Sequence, residues 1–350
     1  MRLEELETPA LTADFDAVER NIASMQSYCD EHGLALRPHI KTHKLPEIAR
    51  LQVDAGARGI TCQKLGEAEV FADAGFDDIL VTFPLVGEAK AERLSALAGR
   101  ARMSVVGDSL VVAAGLSRVL ASHGVEVELL VDCDTGFGRT GVQTPEEAVE
   151  LATAVERLDG LRFAGLMTYP STPEATPRLR EFREAVEAAG IPVGRVSGGG
   201  TPTARQTHEQ GVVDELRVGT YVYGDTACIA NGSVKREDCA LRVLATVVSR
   251  PTADRAILDT GSKALTMEPA IGQEGFGQLL EHPEAQIYRL NEEHGYVDVR
   301  GCVAPPEIGD RVTVIPNHAC VTANMFDDVV VVRGGEVVEV LPTAARGKLT

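Results

Sequence analysis

Short runs of apolar and β-branched residues alternate with longer segments of helical periodicity through the first two thirds of the chain. This alternation is typical of β-α-β units, whose strands lie parallel in one sheet. The helical segments are rich in Ala, Glu, Arg and Leu, and one of them has Thr144 as a candidate N-cap before Pro145 at the first helical position. The predicted strands are residues 35–41, 59–63, 78–84, 102–107, 127–132, 161–169, 193–199 and 215–221.

The predicted strands and helices together have the size of one closed domain. Eight parallel strands, each followed by a helix, within about 200 to 250 residues match a (β/α)8 barrel, which has no sheet edges. An open, doubly wound α/β sheet is the alternative. We therefore predict an α/β fold with a (β/α)8 TIM barrel over residues 10–235.

The pattern changes after about residue 235, where strand-like segments follow one another without long helices. Gly334 and Gly335 separate two Val-rich runs and predict a two-residue hairpin turn with positive φ angles. These features predict a second, mostly antiparallel β-domain over residues 236–350, which residues 1–9 could join. Its predicted strands are residues 241–248, 256–259, 286–289, 296–300, 311–316 and 329–340.

Composition and charge narrow the functional classes. The 350 residues are 44% hydrophobic and 25% charged, which is typical of globular proteins. With 34 basic and 52 acidic side chains the net charge is −18, which argues against nucleic-acid and anionic-membrane partners. The N-terminal sequence MRLEELETPA lacks the pattern of a secretory signal, so we expect a cytoplasmic protein. The seven scattered cysteines without a C-x-x-C pair indicate reduced thiols.

Polar residues follow several of the predicted barrel strands, where such barrels carry their chemistry. Lys41 ends the first strand, and an amine enclosed by low-dielectric walls has a lowered pKa that suits imine formation. Residues 197–201, SGGGT, follow the seventh strand, and Gly219 and Thr220 follow the eighth, where barrels bind phosphate. The alternatives are a surface lysine and ordinary glycine turns. A lysine together with glycine-rich segments that could bind phosphate predicts bound pyridoxal 5′-phosphate.

A candidate metal motif lies near the C-terminus. His318 and Cys320 are two positions apart, so on an extended strand their side chains would point the same way and could bind one divalent ion. An imidazole with a thiol favours zinc, with manganese or magnesium as alternatives. A buried structural pair is the other interpretation of these two residues.

Five segments, taken in order, resemble one enzyme family. They are RPHIKTHK, DTGFGRTG, SGGGTPT, RVGTYVYGD and PNHACVTANMFD, and they resemble the D-serine dehydratase and D-threonine aldolase family, which is related to alanine racemase. The likeness extends from about residue 8 to the C-terminus. It implies a pyridoxal 5′-phosphate enzyme of fold type III that acts on a small D-amino acid and forms a homodimer.

The resemblance also implies roles for individual residues. Lys41 forms the imine with the cofactor, with Lys44 as a nearby cation. Apart from the resemblance, His39 or His43, which flank the lysine, is a candidate base, and orienting Lys41 or packing under the cofactor are the alternatives for each. Arg139 lies on the side of the cofactor's phenolic oxygen. Either Tyr169 or Arg217 addresses the pyridine nitrogen. The other contacts that the resemblance implies are Gly199, Gly200, Gly219 and Thr220. Gln63 at the end of the second strand and Ser197 and Thr201 in the glycine-rich segment are further candidates from their positions.

The reaction expected from the resemblance is metal-assisted cleavage of a D-3-hydroxy amino acid by a lyase. Dehydratases of the family have His-x-Cys in the metal motif, whereas aldolases tend to have His-x-Asp, so Cys320 favours dehydration to a 2-oxo acid and ammonia. Retro-aldol cleavage to glycine and an aldehyde is the close alternative. An amino-acid racemase, which would need a tyrosine such as Tyr288 or Tyr296 as a second base, and a non-catalytic cofactor carrier are more distant alternatives.

Overall fold

The computed structural model describes residues 3–350, which divide into two compact units. Residues 25–41, 49–219 and 347–350 form one unit, called here the barrel unit. Residues up to Ser24 together with residues 42–48 and 220–346 form the other, called the β unit. The domain boundary expected after residue 235 remains a prediction.

Within the described residues, the barrel unit contains a sheet of eight parallel strands. Their order is β2-β9-β8-β7-β6-β5-β4-β3, so neighbouring strands along most of the sheet are consecutive in the chain. The strands are β2 (Ala35–Leu36), β3 (Ile60–Cys62), β4 (Asp78–Val81), β5 (Arg102–Gly107), β6 (Val127–Asp132), β7 (Leu161–Met167), β8 (Arg195–Gly198) and β9 (Glu215–Leu216).

Hydrogen bonds between the two end strands close this sheet. His39 and Thr61 form a parallel bridge, and the Thr61 N–H donates to the Pro38 carbonyl over 2.8 Å. The Arg58 N–H donates to the Leu36 carbonyl, also over 2.8 Å. The predicted barrel is therefore confirmed and the open sheet is excluded.

The first and last predicted barrel strands are shorter than expected. Strand β2 ends at Leu36, shortly before Pro38, and the chain then enters a 3-10 helix at Ile40–Thr42. Strand β9 ends at Leu216 and is followed by a 3-10 helix at Thr220–Val222. Both 3-10 helices carry residues of the predicted active site.

The helices follow the predicted periodic segments. The cap expected at Thr144 is confirmed, since its hydroxyl accepts the Glu147 N–H and the Glu147 carboxylate accepts the Thr144 N–H. In the described part of the chain, no helix combines the length and the apolar character needed to cross a membrane. The α-helices are α1 (Phe15–Glu31), α2 (Pro46–Asp54), α3 (Leu65–Asp73), α4 (Glu88–Ala98), α5 (Leu110–His123), α6 (Pro145–Val155), α7 (Thr176–Ala188), α8 (Thr207–Gln210), α9 (Thr226–Ala230), α10 (Ser262–Leu265) and α11 (Ala319–Ala323).

The β unit is built on a sheet whose strands are mostly antiparallel, as predicted. Strand β1 is an exception, because it pairs in parallel with β16 as well as antiparallel with β10. The Val-rich hairpin is confirmed, with φ angles of 54° at Gly334 and 84° at Gly335. The strands are β1 (Ala10–Asp14), β10 (Leu241–Thr252), β11 (Arg255–Leu258), β12 (Gln278–Leu279), β13 (Gln286–Leu290), β14 (Gly295–Asp298), β15 (Arg311–Ile315), β16 (Asp328–Arg333) and β17 (Glu336–Pro342).

A buried ionic network occupies the N-terminal end of the barrel strands. Arg37 donates to Asp78 over 2.6 Å and to Glu215 over 2.8 Å, and the guanidinium of Arg37 is almost wholly enclosed. Arg195 lies 2.8 Å from Glu128 in the same region. In TIM barrels, residues at the N-terminal end of the strands serve stability, and the catalytic residues lie at the opposite, C-terminal end.

Candidate active site

Lys41 lies at the C-terminal end of the barrel, in the short 3-10 helix after β2. Its side chain is half-buried, and its Nζ atom is 6.0 Å from the centre of the Tyr169 ring. Lys44 belongs to the β unit, has a positive φ of 58°, and donates from Nζ to the Ala345 carbonyl over 3.3 Å. Of these two lysines, Lys41 is therefore the one that approaches the side chains at the barrel mouth.

Arg139 and Tyr169 form the next part of this mouth. The Arg139 guanidinium carbon is 4.9 Å from the centre of the Tyr169 ring, and Phe137 meets the same ring edge-on at 5.7 Å. A cation over an aromatic face is attracted by the negative potential of the ring. Tyr169 is 37% exposed, so its ring can contact a bound molecule from one side.

The loop that carries Arg139 is held in place by Asp134. The carboxylate of Asp134 accepts the backbone N–H groups of Gly136, Phe137 and Gly138 over 2.9 to 3.2 Å. These bonds to the charged form lower the pKa of Asp134 despite the opposing effect of burial. This carboxylate therefore orders the loop.

Arg217 is buried and engaged in the barrel wall. Its Nε donates to the Ser197 hydroxyl over 2.8 Å, and its Nη2 donates to the Thr168 carbonyl over 2.7 Å. The Ser197 hydroxyl donates in turn to Glu215 over 2.7 Å. Burial lowers the pKa of Arg217 to about 10, although Glu215 acts in the opposite direction. Arg217 and Ser197 thus connect β7, β8 and β9 through side-chain contacts.

His39 links the Lys41 segment to the neighbouring strands. Its Nε2 shares a hydrogen bond of 3.1 Å with the Gln63 Oε1, and its Nδ1 accepts the Lys41 N–H over 3.4 Å. Gln63 also donates to the Thr82 carbonyl over 3.1 Å. His39 and Gln63 are therefore placed to fix the backbone that carries Lys41.

His43 has a different environment. It belongs to the β unit, where its buried ring meets Tyr223 edge-on at 6.4 Å and its Nδ1 accepts the Leu45 N–H over 3.1 Å. These contacts give His43 a role in packing.

The glycine run at the end of β8 packs so closely against neighbouring groups that a side chain would not fit. A Cβ atom on Gly199 would lie 2.1 Å from the Arg217 carbonyl oxygen, and one on Gly198 would lie 2.7 Å from the Ser171 hydroxyl. Gly200 has a φ of 138°, and Thr201 then begins a 3-10 helix, Thr201–Gln206. Within residues 3–350, the buried Ser171 Oγ has no hydrogen-bond partner. A buried hydroxyl of this kind beside a glycine run fits the oxygens of an anionic ligand.

The metal motif differs from the expected geometry. The spacing argument assumed an extended backbone at His318 and Cys320, whereas His318 is the N-cap of α11 and Cys320 lies in its first turn. The two side chains still interact, and the hydrogen bonds of His318 with Cys320 and with the Glu268 carboxylate raise the pKa of His318 to about 9. An imidazole beside a thiol is a donor set that fits zinc.

Two threonines surround the thiol of Cys320 in the β unit. The Thr42 hydroxyl lies 3.1 Å from the Cys320 sulfur and the Thr220 hydroxyl lies 3.7 Å from it. Thr220, which was expected among the cofactor contacts, thus also contacts the metal motif. Gly219 comes immediately before it in the chain.

Sequence reasoning missed the residues that hold the metal motif in place. Asp225 accepts the Ala319 N–H over 3.1 Å with one carboxylate oxygen and caps α9 through the Cys228 N–H with the other. Asn317 donates to the Glu268 carbonyl over 3.0 Å. The Asn317–Glu268 and Asp225–Ala319 contacts join residues 49 and 94 positions apart in the chain, so no local pattern reveals them.

Two family models match successive parts of the chain. The alanine racemase N-terminal domain matches residues 13–227, and the putative serine dehydratase domain matches residues 240–332. The D-threonine aldolase of Arthrobacter sp. is 37% identical over an alignment that covers 99% of this chain and 94% of that protein.

Solved structures of aldolases and dehydratases are also similar to this chain. The D-threonine aldolase of Filomicrobium marinum has a TM-score of 0.92 and 34% identity, with 99% of this chain and 98% of that chain covered. The D-threo-3-hydroxyaspartate dehydratase of Delftia sp. HT23 has a TM-score of 0.86 and 32% identity, with 98% of both chains covered. A variant of D-threo-3-hydroxyaspartate dehydratase in which alanine replaces a cysteine is described as a metal-free form. The chain therefore belongs to the D-serine dehydratase and D-threonine aldolase family, as its motifs predict.

Proposed function

We propose that this protein is a pyridoxal 5′-phosphate-dependent, metal-assisted lyase that dehydrates D-3-hydroxy amino acids to a 2-oxo acid and ammonia. The expected enzyme class, a lyase, is the class of its aldolase and dehydratase relatives. The observation that carries dehydration, as opposed to another lyase reaction, is the thiol of Cys320 beside the imidazole of His318. The expected cytoplasmic location and homodimer remain predictions.

The cofactor site lies at the C-terminal end of the barrel. Lys41 would hold pyridoxal phosphate, which supplies an electron sink for negative charge at Cα of the substrate. The Arg139 cation and the exposed side of the Tyr169 ring would border the cofactor ring, because both lie on the Lys41 side of the mouth. The glycine run and the Ser171 hydroxyl would receive the phosphate oxygens.

Tyr169 suits the pyridine nitrogen better than Arg217 does. The Arg217 guanidinium is buried and already donates to Ser197 and to the Thr168 carbonyl. Tyr169 keeps an exposed side. We therefore assign to Arg217 and Ser197 the ordering of the barrel wall beneath the cofactor.

The chain's own groups would move the substrate proton. Once its amine is free, the Lys41 Nζ would accept the proton from Cα of the substrate, because this amine lies beside any molecule that is bound to the cofactor. His39 orients the backbone of Lys41 through its Nδ1, which leaves it a positioning role. His43 packs against Tyr223, so a role as base at the reacting atoms is less favoured for it.

The metal would be held by His318 and Cys320. A divalent ion supplies a Lewis acid that makes the β-hydroxyl a better leaving group, and we propose zinc because of the thiol donor. Holding the ion requires a neutral imidazole and a thiolate, so His318 and Cys320 would bind it in their deprotonated forms.

Product identification tests the proposal directly. The purified protein with pyridoxal phosphate and zinc is offered D-serine, D-threonine and D-3-hydroxyaspartate, and ammonia, 2-oxo acid, glycine and aldehyde are measured together with the L-enantiomer of each substrate. We expect ammonia and the matching 2-oxo acid. Formation of the L-enantiomer alone would indicate a racemase, and a bound cofactor without any product would indicate a carrier.

Retro-aldol cleavage is the second candidate. It is favoured by the TM-score of 0.92 to a D-threonine aldolase, against 0.86 to the dehydratase. Glycine and an aldehyde as the main products would establish it in place of dehydration.

A further inference from the structure

Three side chains of different chemistry meet on the β unit, outside the sequence motifs of the proposed reaction. They are His282, Glu284 and Cys302, and one donor atom from each lies within 4.8 Å of the other two. None of them belongs to a motif of the proposed reaction. His282 and Cys302 are half-buried, whereas Glu284 is exposed.

The hairpin of β13 and β14 brings these residues together. Gln286 pairs with Asp298 at its open end, so the segments before β13 and after β14 leave the sheet side by side. Each segment then forms a turn, with the Ala285 N–H donating to the His282 carbonyl and the Cys302 N–H donating to the Val299 carbonyl, both over 3.0 Å. Main-chain hydrogen bonds therefore hold the two segments that carry the cluster in defined turns.

The two turns also approach each other closely. A Cβ atom on Gly301 would lie 3.0 Å from the Glu284 carbonyl oxygen, so glycine permits the contact between the segments. This approach places the Cys302 thiol beside the Glu284 carboxylate.

The ligand atoms of His282, Glu284 and Cys302 favour zinc over magnesium and calcium. Imidazole, carboxylate and thiolate are the three donor types that zinc takes in proteins, whereas magnesium and calcium prefer oxygen donors alone. Burial and the neighbouring Glu284 raise the pKa of the Cys302 thiol, while Arg250 acts in the opposite direction. A bound cation would reverse this effect, because it stabilises the thiolate.

The other cysteines cannot offer the same site. Cys29, Cys62, Cys133, Cys228 and Cys239 are buried, and Cys302 and Cys320 are partly exposed. Cys320 belongs to the metal motif of the proposed active site, so Cys302 is the accessible thiol that has no assigned role.

We propose that His282, Glu284 and Cys302 form a zinc site that is separate from the His318 and Cys320 pair. The three side chains supply three ligands of a tetrahedral ion, and water supplies the fourth. The bound ion ties the segment before β13 to the segment after β14 and stabilises the open end of this hairpin.

Cobalt(II) substitution tests the site without reference to activity. Thiolate bound to cobalt gives a charge-transfer band in the near ultraviolet, and the double variant His318→Asn, Cys320→Ser removes the other candidate thiol site. We expect this double variant to bind one equivalent of cobalt with the band, and the further change Cys302→Ser to abolish the band. Absence of the band from the double variant, at cobalt concentrations that saturate the wild type, would overturn the proposal.

Zinc affinity provides the second measurement. In the same double-variant background, Glu284→Gln and His282→Asn should each weaken zinc binding measured by calorimetry by about 10-fold or more. Glu292→Gln is the matched control, since this exposed carboxylate lies at the closed end of the hairpin. Equal affinities for Glu284→Gln and Glu292→Gln would contradict the assignment. Failure of the lyase reaction would leave these results unchanged, so the two proposals can be judged separately.

Discussion

Lys41 and Lys44 are three positions apart, yet their amines have different surroundings. The Lys44 Nζ donates to a backbone carbonyl at Ala345, whereas the Lys41 Nζ faces the Tyr169 ring. An amine that reacts with a ligand must reach that ligand, so this difference supports our proposal that Lys41 is the reactive lysine.

The first prediction concerns this lysine. Lys41→Ala should abolish the visible absorbance of bound pyridoxal phosphate and reduce turnover to the background rate, because the covalent link to the chain is lost. Lys44→Met should retain the absorbance while lowering stability, since it removes the bond to Ala345. Absorbance spectra after gel filtration measure both. Absorbance kept by Lys41→Ala and lost in Lys44→Met would reverse the assignment.

The second prediction concerns the thiol of the metal motif. Cys320→Asp should shift the products from 2-oxo acid and ammonia towards glycine and aldehyde by about 10-fold in ratio, because a carboxylate donor would change the properties of the ion that His318 and Cys320 are proposed to hold. Cys302→Ser is the matched control and should leave the ratio unchanged. An equal ratio for Cys320→Asp and the wild type would show that this position does not select the reaction.

At the scale of elements, the hairpin between β16 and β17 shows how backbone geometry alone selects a residue. Gly334 and Gly335 both have positive φ, and a Cβ atom on either glycine would meet nothing within 4 Å. The requirement for glycine here is therefore conformational and not steric.

The third prediction follows from that hairpin. Gly335→Ala should lower the free energy of unfolding by about 1–2 kcal/mol, the usual cost of a left-handed conformation for a residue with a Cβ. Gly115→Ala is the control, because Gly115 lies inside α5 with no positive φ and open space around it. That change should raise the free energy of unfolding by up to about 1 kcal/mol. Denaturant titrations of the two variants should move in opposite directions.

At the scale of the whole molecule, the acidic composition coexists with a buried charge network. The net charge of −18 is carried mainly at the surface, whereas Arg37, Asp78 and Glu215 form ion pairs inside the barrel. Removing one partner of a buried ion pair leaves the charge of the other partner without compensation. This lowers the free energy of unfolding more than the loss of a surface ion pair does. Stability against acid should therefore depend on a few carboxylates.

The fourth prediction concerns Glu128. Burial alone would raise its pKa, but Arg195 and the Ser104 hydroxyl outweigh burial and lower the pKa of Glu128 to about 2. Its ordinary value is 4.5, so its contribution to stability is present above about pH 4.5 and is lost as the pH falls towards 2. Glu128→Gln should lower stability at neutral pH by a few kcal/mol and flatten the decline below pH 4.5.

Unfolding measured at neutral pH and at several acidic pH values checks this prediction. Glu126→Gln is the matched control, because its exposed carboxylate lies 3.5 Å from Arg162 and should contribute little. A decline below pH 4.5 that is as steep in Glu128→Gln as in the wild type would contradict the assigned role.

Local patterns were sufficient for much of this architecture. The alternation of strands and helices, the Thr144 cap and the paired glycines at 334 and 335 each depend on neighbouring residues, so the sequence alone predicts them. The motifs around Lys41 likewise identify the family, because the order of such segments along a chain is itself a sequence property.

Contacts between distant segments required the tertiary structure. The bridge between His39 and Thr61 closes the barrel, His318 lies at the N-cap of α11, and Glu268 pairs with His318 across 50 positions. The cluster of His282, Glu284 and Cys302 depends on the register of a hairpin. The sequence alone determined which segments form helices, strands and turns, because those preferences are local. Only the tertiary structure decided which side chains meet, because chain topology and packing set those distances.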